Sequence, residues 1–415
     1  MAVIKAFRAL HPAEGRGETV AALPYDVYSR SEAREETRKH PYSFLNIDRP
    51  ETQFPEDHDM YAPEVYRRAD WLIREWTRKG ILVRDETPCL YLYMQTMNGI
   101  SQTGIVACSS VDEYLSGVIK KHENTLREKE EDRVKHIDFC SAQTGPIFLA
   151  YRDNAVIDMI VAREKNKAPV CDFVSEDRIG HTVWRIDDPE TIQALVYAFS
   201  LVPNTYIADG HHRAASAVRV ARDRRLSNPD YDGTEEFNYF LSVLFPASQL
   251  RILDYNRVVK DLNGLSAQEF LQLLSEKFEI EEYADRGNPY RPEGKGFFGL
   301  YLQKKWYRLK ASPEILSKDP VAGLDVSILQ DQVLGPLLAI DDPKTNPRIR
   351  FVGGIRGLSE LEKQVDQGMA AAFSMYPTSI GELFAVADAD RLMPPKSTWF
   401  EPKLRSGLFI HEFER

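Results

Sequence analysis

The sequence predicts an α/β or α+β fold, a composite of mixed sheets with helices packed on them. Three observations carry this. Short apolar runs with strand character alternate along the chain with segments of helical spacing. Gly, Pro and Asn-Gly punctuation separates them and leaves no long linker or low-complexity tract. The 415 residues are 43% hydrophobic, enough for one large or two ordinary domains. The expected organisation is an N-terminal and central α/β region over 1–263, an α+β insertion over 264–320, and a C-terminal region over 321–415 that returns to the core.

The opening "VIKAFRAL" reads as a strand that ends in a loop at His11-Pro12. In "VAALPYDVYS", Pro24 forces Leu23 to be extended. Ser31 is the expected cap of a charged helix, "SEAREETRKH", which Pro41 closes. A second helix covers "APEVYRRADWLIREWTRKG", where Val65, Ala69, Leu72 and Trp76 have helical spacing and Gly80 stops it. "CLYLYMQTM" and "GIVACSSV" pair as strands across Asn98-Gly99. The very charged stretch after them is a long helix or helix pair, followed by a buried strand in "GPIFLAY". "HTVWRIDD" is a strand, and "DPETIQALVYAFS" a helix opening at Asp188-Pro189. Strand "NTYIAD" runs into a turn at Gly210 and a helix from about His212, and "FNYFLSVLFPA" is the most apolar strand. The insertion holds helix "SAQEFLQLLSEKF" and strands "GKGFFGLYLQ" and "KWYRLKA". Helix "DVSILQDQVLGPLL", strand "RIRFVGG" and helix "LSELEKQVDQG" follow, before a final loop and strand.

Composition narrows the function classes. A net charge of -10 disfavours nucleic acid as the main partner, because phosphate backbones call for a basic footprint. The four cysteines, Cys89, Cys108, Cys140 and Cys171, form no C-x-x-C pair, so neither a zinc ribbon nor a thioredoxin-like site is expected. Dispersed thiols, no apolar run of membrane length and no signal-like start point to a cytoplasmic protein without a membrane partner.

The densest chemistry lies in "ADGHHRAASA". Gly210 lets the backbone turn tightly after a strand. The helix that follows offers unpaired amides and the positive end of its dipole, which suits an anion. His211, His212 and Arg213 add donors, and an arginine can grip a phosphate with two parallel bonds. Asp209 could orient a histidine, bind Mg²⁺ or act as a base. A plain helix cap is the rival reading, and it would win for one such residue alone. Five ionisable or glycine residues at one turn favour a site.

The chain resembles the family termed domain of unknown function 1015. The resemblance rests on "ADGHHRAASA", "LPYDVYSRSEAR", "HPYSFLNIDRPE", "GVIKKHENTLREKEEDRVKH", "TGPIFL", "LDVSILQDQVL" and "MPPKSTWFEPKLRSGLFIH". The Gly210 turn in turn resembles that of the ParB and sulfiredoxin group, which implies a ParB/sulfiredoxin-like element around it. Some members of that group bind nucleotide phosphates there, and some are free-serine kinases. The His-His pair departs from the ParB pattern, so roles do not carry over residue by residue.

The charged segment adds Lys120, His122, Glu123, Asp132 and Arg133. On charge pattern alone it is a solvated helix laced with ion pairs. The resemblance raises Glu123 as a base, Lys120, His122 and Arg133 as phosphate or substrate ligands, and Asp132 with Asp209 as metal ligands. In "MPPKSTWFEPKLRSG", Lys396, Ser397, Thr398 and Lys403 could close over an anion, as loops on rigid scaffolds often do. Tyr25 and Asp26 are lesser candidates for the pocket wall.

The function expected is a phosphate-handling enzyme, most concretely a small-molecule kinase of the free-serine type. Its donor would be ATP, ADP or pyrophosphate, with Mg²⁺ as cofactor. Asp209, His211, His212 and Glu123 would be catalytic, and Gly210 and Arg213 would bind phosphate. A phosphohydrolase and a non-catalytic nucleotide sensor are the alternatives. No Walker G-x-x-x-x-G-K-[ST] motif and no H-R-D or D-F-G set is present.

Overall fold

The structure, a computed structural model, describes residues 1–285 and 287–414. It is mixed α/β and divides into two compact units, one of residues 1–250 with 402–415 and one of residues 251–401. Residues 264–320 fall inside the second unit, and the last residues of the chain return to the first. Among the described residues no helix is long and apolar enough to cross a membrane. All four cysteines are free.

The first unit is built on a nine-stranded mixed sheet. Its strands are β1 (Ile4–Lys5), β2 (Leu90–Met97), β3 (Ile100–Ser110), β4 (Ile119–Lys120), β5 (Ile147–Tyr151), β6 (Cys171–Val174), β7 (Gly180–Ile186), β8 (Thr205–Asp209) and β9 (Tyr239–Pro246). Their order is β4-β8-β5-β9-β3-β2-β7-β6, with β1 also on β3. Asn98 and Gly99 both take positive φ, 53° and 76°. Two left-handed residues let the β2–β3 hairpin close without splaying its strands. The same unit carries helices α1 (Arg30–Lys39), α2 (Pro63–Arg78), α3 (Arg127–Cys140), α4 (Ala155–Glu164), α5 (Pro189–Phe199) and α6 (His211–Ser227). Val65, Ala69, Leu72 and Trp76 of α2 are buried, as their spacing predicts.

Three elements depart from the sequence reading. The cap of α1 is Ser29, not Ser31: its Oγ accepts the Glu32 amide while the Glu32 carboxylate accepts the Ser29 amide. Ser31 has Arg34 at the matching position and so could not complete such a box. The charged stretch forms the helix pair expected, a short helix Val111–Ser116 that stops at Gly117, φ 78°, and then α3, but the unexpected β4 lies between them. Finally, α4 and β6 lie where no element was expected. Val156 and Met159 of α4 are exposed, and apolar residues on both faces erase the helical period.

The second unit carries a six-stranded sheet of β10 (Tyr255–Val259), β11 (Phe278–Glu282), β12 (Phe297–Leu302), β13 (Lys305–Ala311), β14 (Ile349–Gly353) and β15 (Ala371–Met375), in the order β11-β13-β12-β15-β10-β14. Helices α7 (Ala267–Leu274), α8 (Ser359–Asp366) and α9 (Ile380–Asp388) accompany it. Val258, Tyr301, Val352 and Ala372 join Leu361 of α8 in one apolar cluster.

Candidate functional site

The site starts from strand register. β8 pairs in parallel with β4, Tyr206 opposite Lys120, so the residues just after β4 lie beside the end of β8. That brings His122 against His211, their rings perpendicular with centroids 4.5 Å apart. Against its other neighbour, β5, the register of β8 slips between Ile207 and Asp209. The bulge re-aims Asp209 as the strand ends, a device common next to functional sites.

Gly210 then turns the chain at φ 94°. The backbone angle favours glycine, and a Cβ there would also stand tightly against the Arg213 guanidinium, at 3.1 Å. Arg213 folds back over this turn and donates Nη2 to Asp209 Oδ2 at 2.9 Å and Nη1 to the Pro146 carbonyl. Lys403 Nζ reaches the other Asp209 oxygen, Oδ1, at 3.2 Å. Burial alone would raise the Asp209 carboxyl, yet the Lys403 and Arg213 cations outweigh it and hold it at about 2. The turn is therefore one anion clamped between two cations.

His122 and His211 are both buried, 2% and 6% exposed. Burial pushes the His122 imidazole down to about 4, against the pull of Asp209 and a hydrogen bond with the Ile207 carbonyl. Burial and the neighbouring His122 drive His211 well below its ordinary value. Both rings are neutral at neutral pH. Nδ1 of His122 and Nε2 of His211 have no hydrogen-bond partner among the described residues, leaving two buried polar atoms open to a ligand. His212 differs: it is half-buried, and its Nε2 accepts the Leu126 amide at 2.9 Å. That bond ties the first turn of α6 to the start of α3. Glu123 follows His122 and is half-buried.

Beside this turn opens a small cleft whose wall holds Tyr25, Asp48, Arg133, Thr144, Arg213 and Ser406. Arg133 stacks on the Tyr25 ring at 4.1 Å, pairs with Asp132 at 2.7 Å and donates to the Asp48 carbonyl at 3.3 Å. Thr144 Oγ1 donates to Asp48 Oδ1 at 2.7 Å. Burial pushes the Tyr25 phenol up to about 12, against Arg133. Gly145 lets the wall come close, since a Cβ would meet Ser406 Oγ at 3.3 Å.

Asp209, Gly210, His211, His122, Arg213 and Lys403 thus gather at one turn, and Arg133 shares a cleft with Arg213. Asp132 faces Arg133 and Tyr66, and Asp209 faces two cations. No three His, Cys, Asp or Glu side chains gather to hold a metal among the described residues. Lys396, Ser397 and Thr398 belong to the second unit. There the Ser397 Oγ donates to the Pro394 carbonyl at 2.6 Å and the Ser397 carbonyl accepts Thr378 Oγ1 at 2.9 Å. Asp48, Thr144 and Ser406 were not singled out as site residues. They lie in the quoted stretches "HPYSFLNIDRPE", "TGPIFL" and "KLRSGLFIH", but their residue types alone carry no signal.

The family described as protein of unknown function (DUF1015) matches residues 4–327. No curated protein matches the chain. Among solved structures it is similar to a free serine kinase variant in complex with ADP, at 14% identity and a TM-score of 0.35, over 74% of this chain and 92% of that one. It is also similar to SbnI with C-terminal truncation from Staphylococcus aureus, at 12% identity and a TM-score of 0.38, over 74% and 87%. A third is a conserved hypothetical protein from Pyrococcus furiosus, at 14% identity and a TM-score of 0.33, over 74% and 95%.

Proposed function

This chain belongs to the DUF1015 family, and from that premise we propose that it is a phosphotransferase acting on the hydroxyl of a small molecule of the free-serine type, with ATP, ADP or pyrophosphate as donor. One observation carries the reading: the Asp209 carboxylate, clamped between Lys403 at 3.2 Å and Arg213 at 2.9 Å, on the turn that opens α6.

Phosphoryl transfer asks a protein mainly for positioning and for stabilisation of spread negative charge. The first-turn amides of α6 and the helix dipole would receive donor phosphate. Lys403 would supply positive charge to the transferred phosphoryl group, with Asp209 holding its ammonium in place. A carboxylate at about 2 is a poor base near neutral pH. Deprotonating the acceptor would therefore fall to Glu123 rather than Asp209. The open nitrogens of His122 and His211 would hydrogen-bond the reacting groups as neutral rings. His212 would set the first turn of α6 through the Leu126 amide. Mg²⁺ would neutralise donor charge and would arrive with the donor, since the described residues gather no cage for it.

The test is a direct product assay with serine and each donor, with and without Mg²⁺, resolving phosphoserine from inorganic phosphate. Phosphoserine formation supports the kinase. Phosphate release without it selects a phosphohydrolase. Donor binding with no turnover, unchanged in Glu123→Gln and His211→Ala, selects a nucleotide sensor. Lys403→Met should lower turnover about 10²–10³-fold, the loss usual for one stabilising donor.

A further inference from the structure

The second unit contains a charge that its own residues do not balance. Arg257, on β10, is 3% exposed. Its Nη1 donates to the Tyr255 carbonyl and its Nη2 to the Lys396 carbonyl at 3.0 Å. It lies 5.4 Å from the Phe351 ring centroid. No Asp or Glu of the described residues pairs with it. The nearby carboxylate in sequence, Asp254, is taken by Arg291 at 3.2 Å and by the Asn256 amide at 2.5 Å. Lys396 brings a second cation: its Nζ sits 5.8 Å over the Tyr255 ring, again with no ion pair among the described residues.

A buried guanidinium is costly unless a negative charge meets it. Two carbonyl bonds use two of its five N–H donors. Burial lowers Arg257 to about 10, the sign of a cation short of compensation. A guanidinium fork also matches the geometry of a carboxylate or phosphate group.

We propose that the second unit holds its own oxyanion site, in which Arg257 and Lys396 receive one carboxylate or phosphate group beside Tyr255. It stands apart from the phosphotransferase reading. Trp399 supplies the reporter, because its ring meets Tyr255 edge-on at 5.0 Å.

The experiment titrates the full chain with inorganic phosphate, with acetate, and with chloride at matched ionic strength, while the Trp399 indole N–H resonance is followed by NMR. Trp399→Phe assigns that resonance. Saturable movement with phosphate or acetate, but not chloride, supports the site, and the oxyanion that saturates names its source. Lys396→Gln, an exposed change, should weaken binding about tenfold, and Arg257→Met should abolish it. Arg257→Lys keeps the charge without the fork and serves if the methionine variant does not fold. Movement identical for all three salts, or binding unchanged in Lys396→Gln and in the Arg257 variant that folds, would overturn the proposal and leave Arg257 as a strut for the 394–398 loop.

Discussion

Lys403 Nζ and Asp209 Oδ1 stand 3.2 Å apart although 194 residues separate them in the chain. The pair joins the returning C-terminal segment to the turn that ends β8. The Gln95 amide donates to the Lys403 carbonyl at 2.9 Å, so the lysine is anchored at both ends. Its removal should be readable in acid. Asp209 sits at about 2 when folded, against about 3.9 unfolded. Its contribution to stability is therefore complete above about pH 4 and is lost as the pH falls towards 2. Lys403→Met removes the strongest of the effects that lower the carboxyl, so the folded value rises and the contribution shrinks. Acid unfolding followed by circular dichroism should move to higher pH in the variant. An unmoved midpoint would mean that Arg213 alone holds the carboxylate.

Gly210→Ala tests the turn itself. At φ 94° an L side chain is strained by about 1–3 kcal/mol, and its Cβ would press on the Arg213 guanidinium at 3.1 Å. Urea denaturation should show a loss of at least that size. Donor binding should weaken as well, because the Arg213 guanidinium must shift by a few tenths of an ångström from the position in which it holds Asp209. A variant of full stability and full binding would show that the turn can relax without the clamp.

How far these features could be read beforehand differs by cause. The strand–Gly210–helix unit was legible because it is local: apolar run, glycine, alanine-rich helix. The meeting of His122 with His211 was not. It depends on the parallel pairing of Tyr206 with Lys120, a register between segments far apart in the chain. The bulge before Asp209 leaves no mark in residue type. Lys403 and Lys396 stood together as one loop in the sequence, yet the boundary at residue 401 assigns them to different units. The α1 cap was within reach, since Ser29 and Glu32 have capping-box spacing and Ser31 does not.

Arg133 lines the cleft and should prove structural. It fills the space between Asp132 at 2.7 Å and the Tyr25 ring at 4.1 Å, with the Asp132 and Arg133 side chains 17% and 8% exposed. Arg133→Met keeps most of the volume but leaves Asp132, among the described residues, with the Tyr66 hydroxyl at 2.9 Å as its hydrogen-bond partner. Removing one member of a buried pair typically costs about 3–5 kcal/mol. Asp132→Asn with Arg133→Met should recover part of that loss, since the stranded charge is gone. Chemical denaturation of the two single variants and the double variant measures the coupling; additive losses would mean that the two groups do not act as a pair.

The histidine pair makes a prediction with a definite sign. His122 is held at about 4 and His211 well below its ordinary value, whereas both titrate near 6.5 in the unfolded chain. Between those values the unfolded state binds protons that the folded state refuses. Stability therefore falls as the pH drops below 6.5, by about 1.4 kcal/mol per unit for each such histidine. The fall from His122 ends near pH 4, where its folded form also protonates. His122→Gln and His211→Gln should each remove one histidine's share of the slope while leaving stability above pH 7 less affected. The His122 and His211 imidazole resonances of the native protein should stay in the neutral form down through pH 5. A folded-state titration near 6.5 for either ring would mean that water reaches it, and the two open nitrogens would then lose the dry setting on which their role towards a substrate depends.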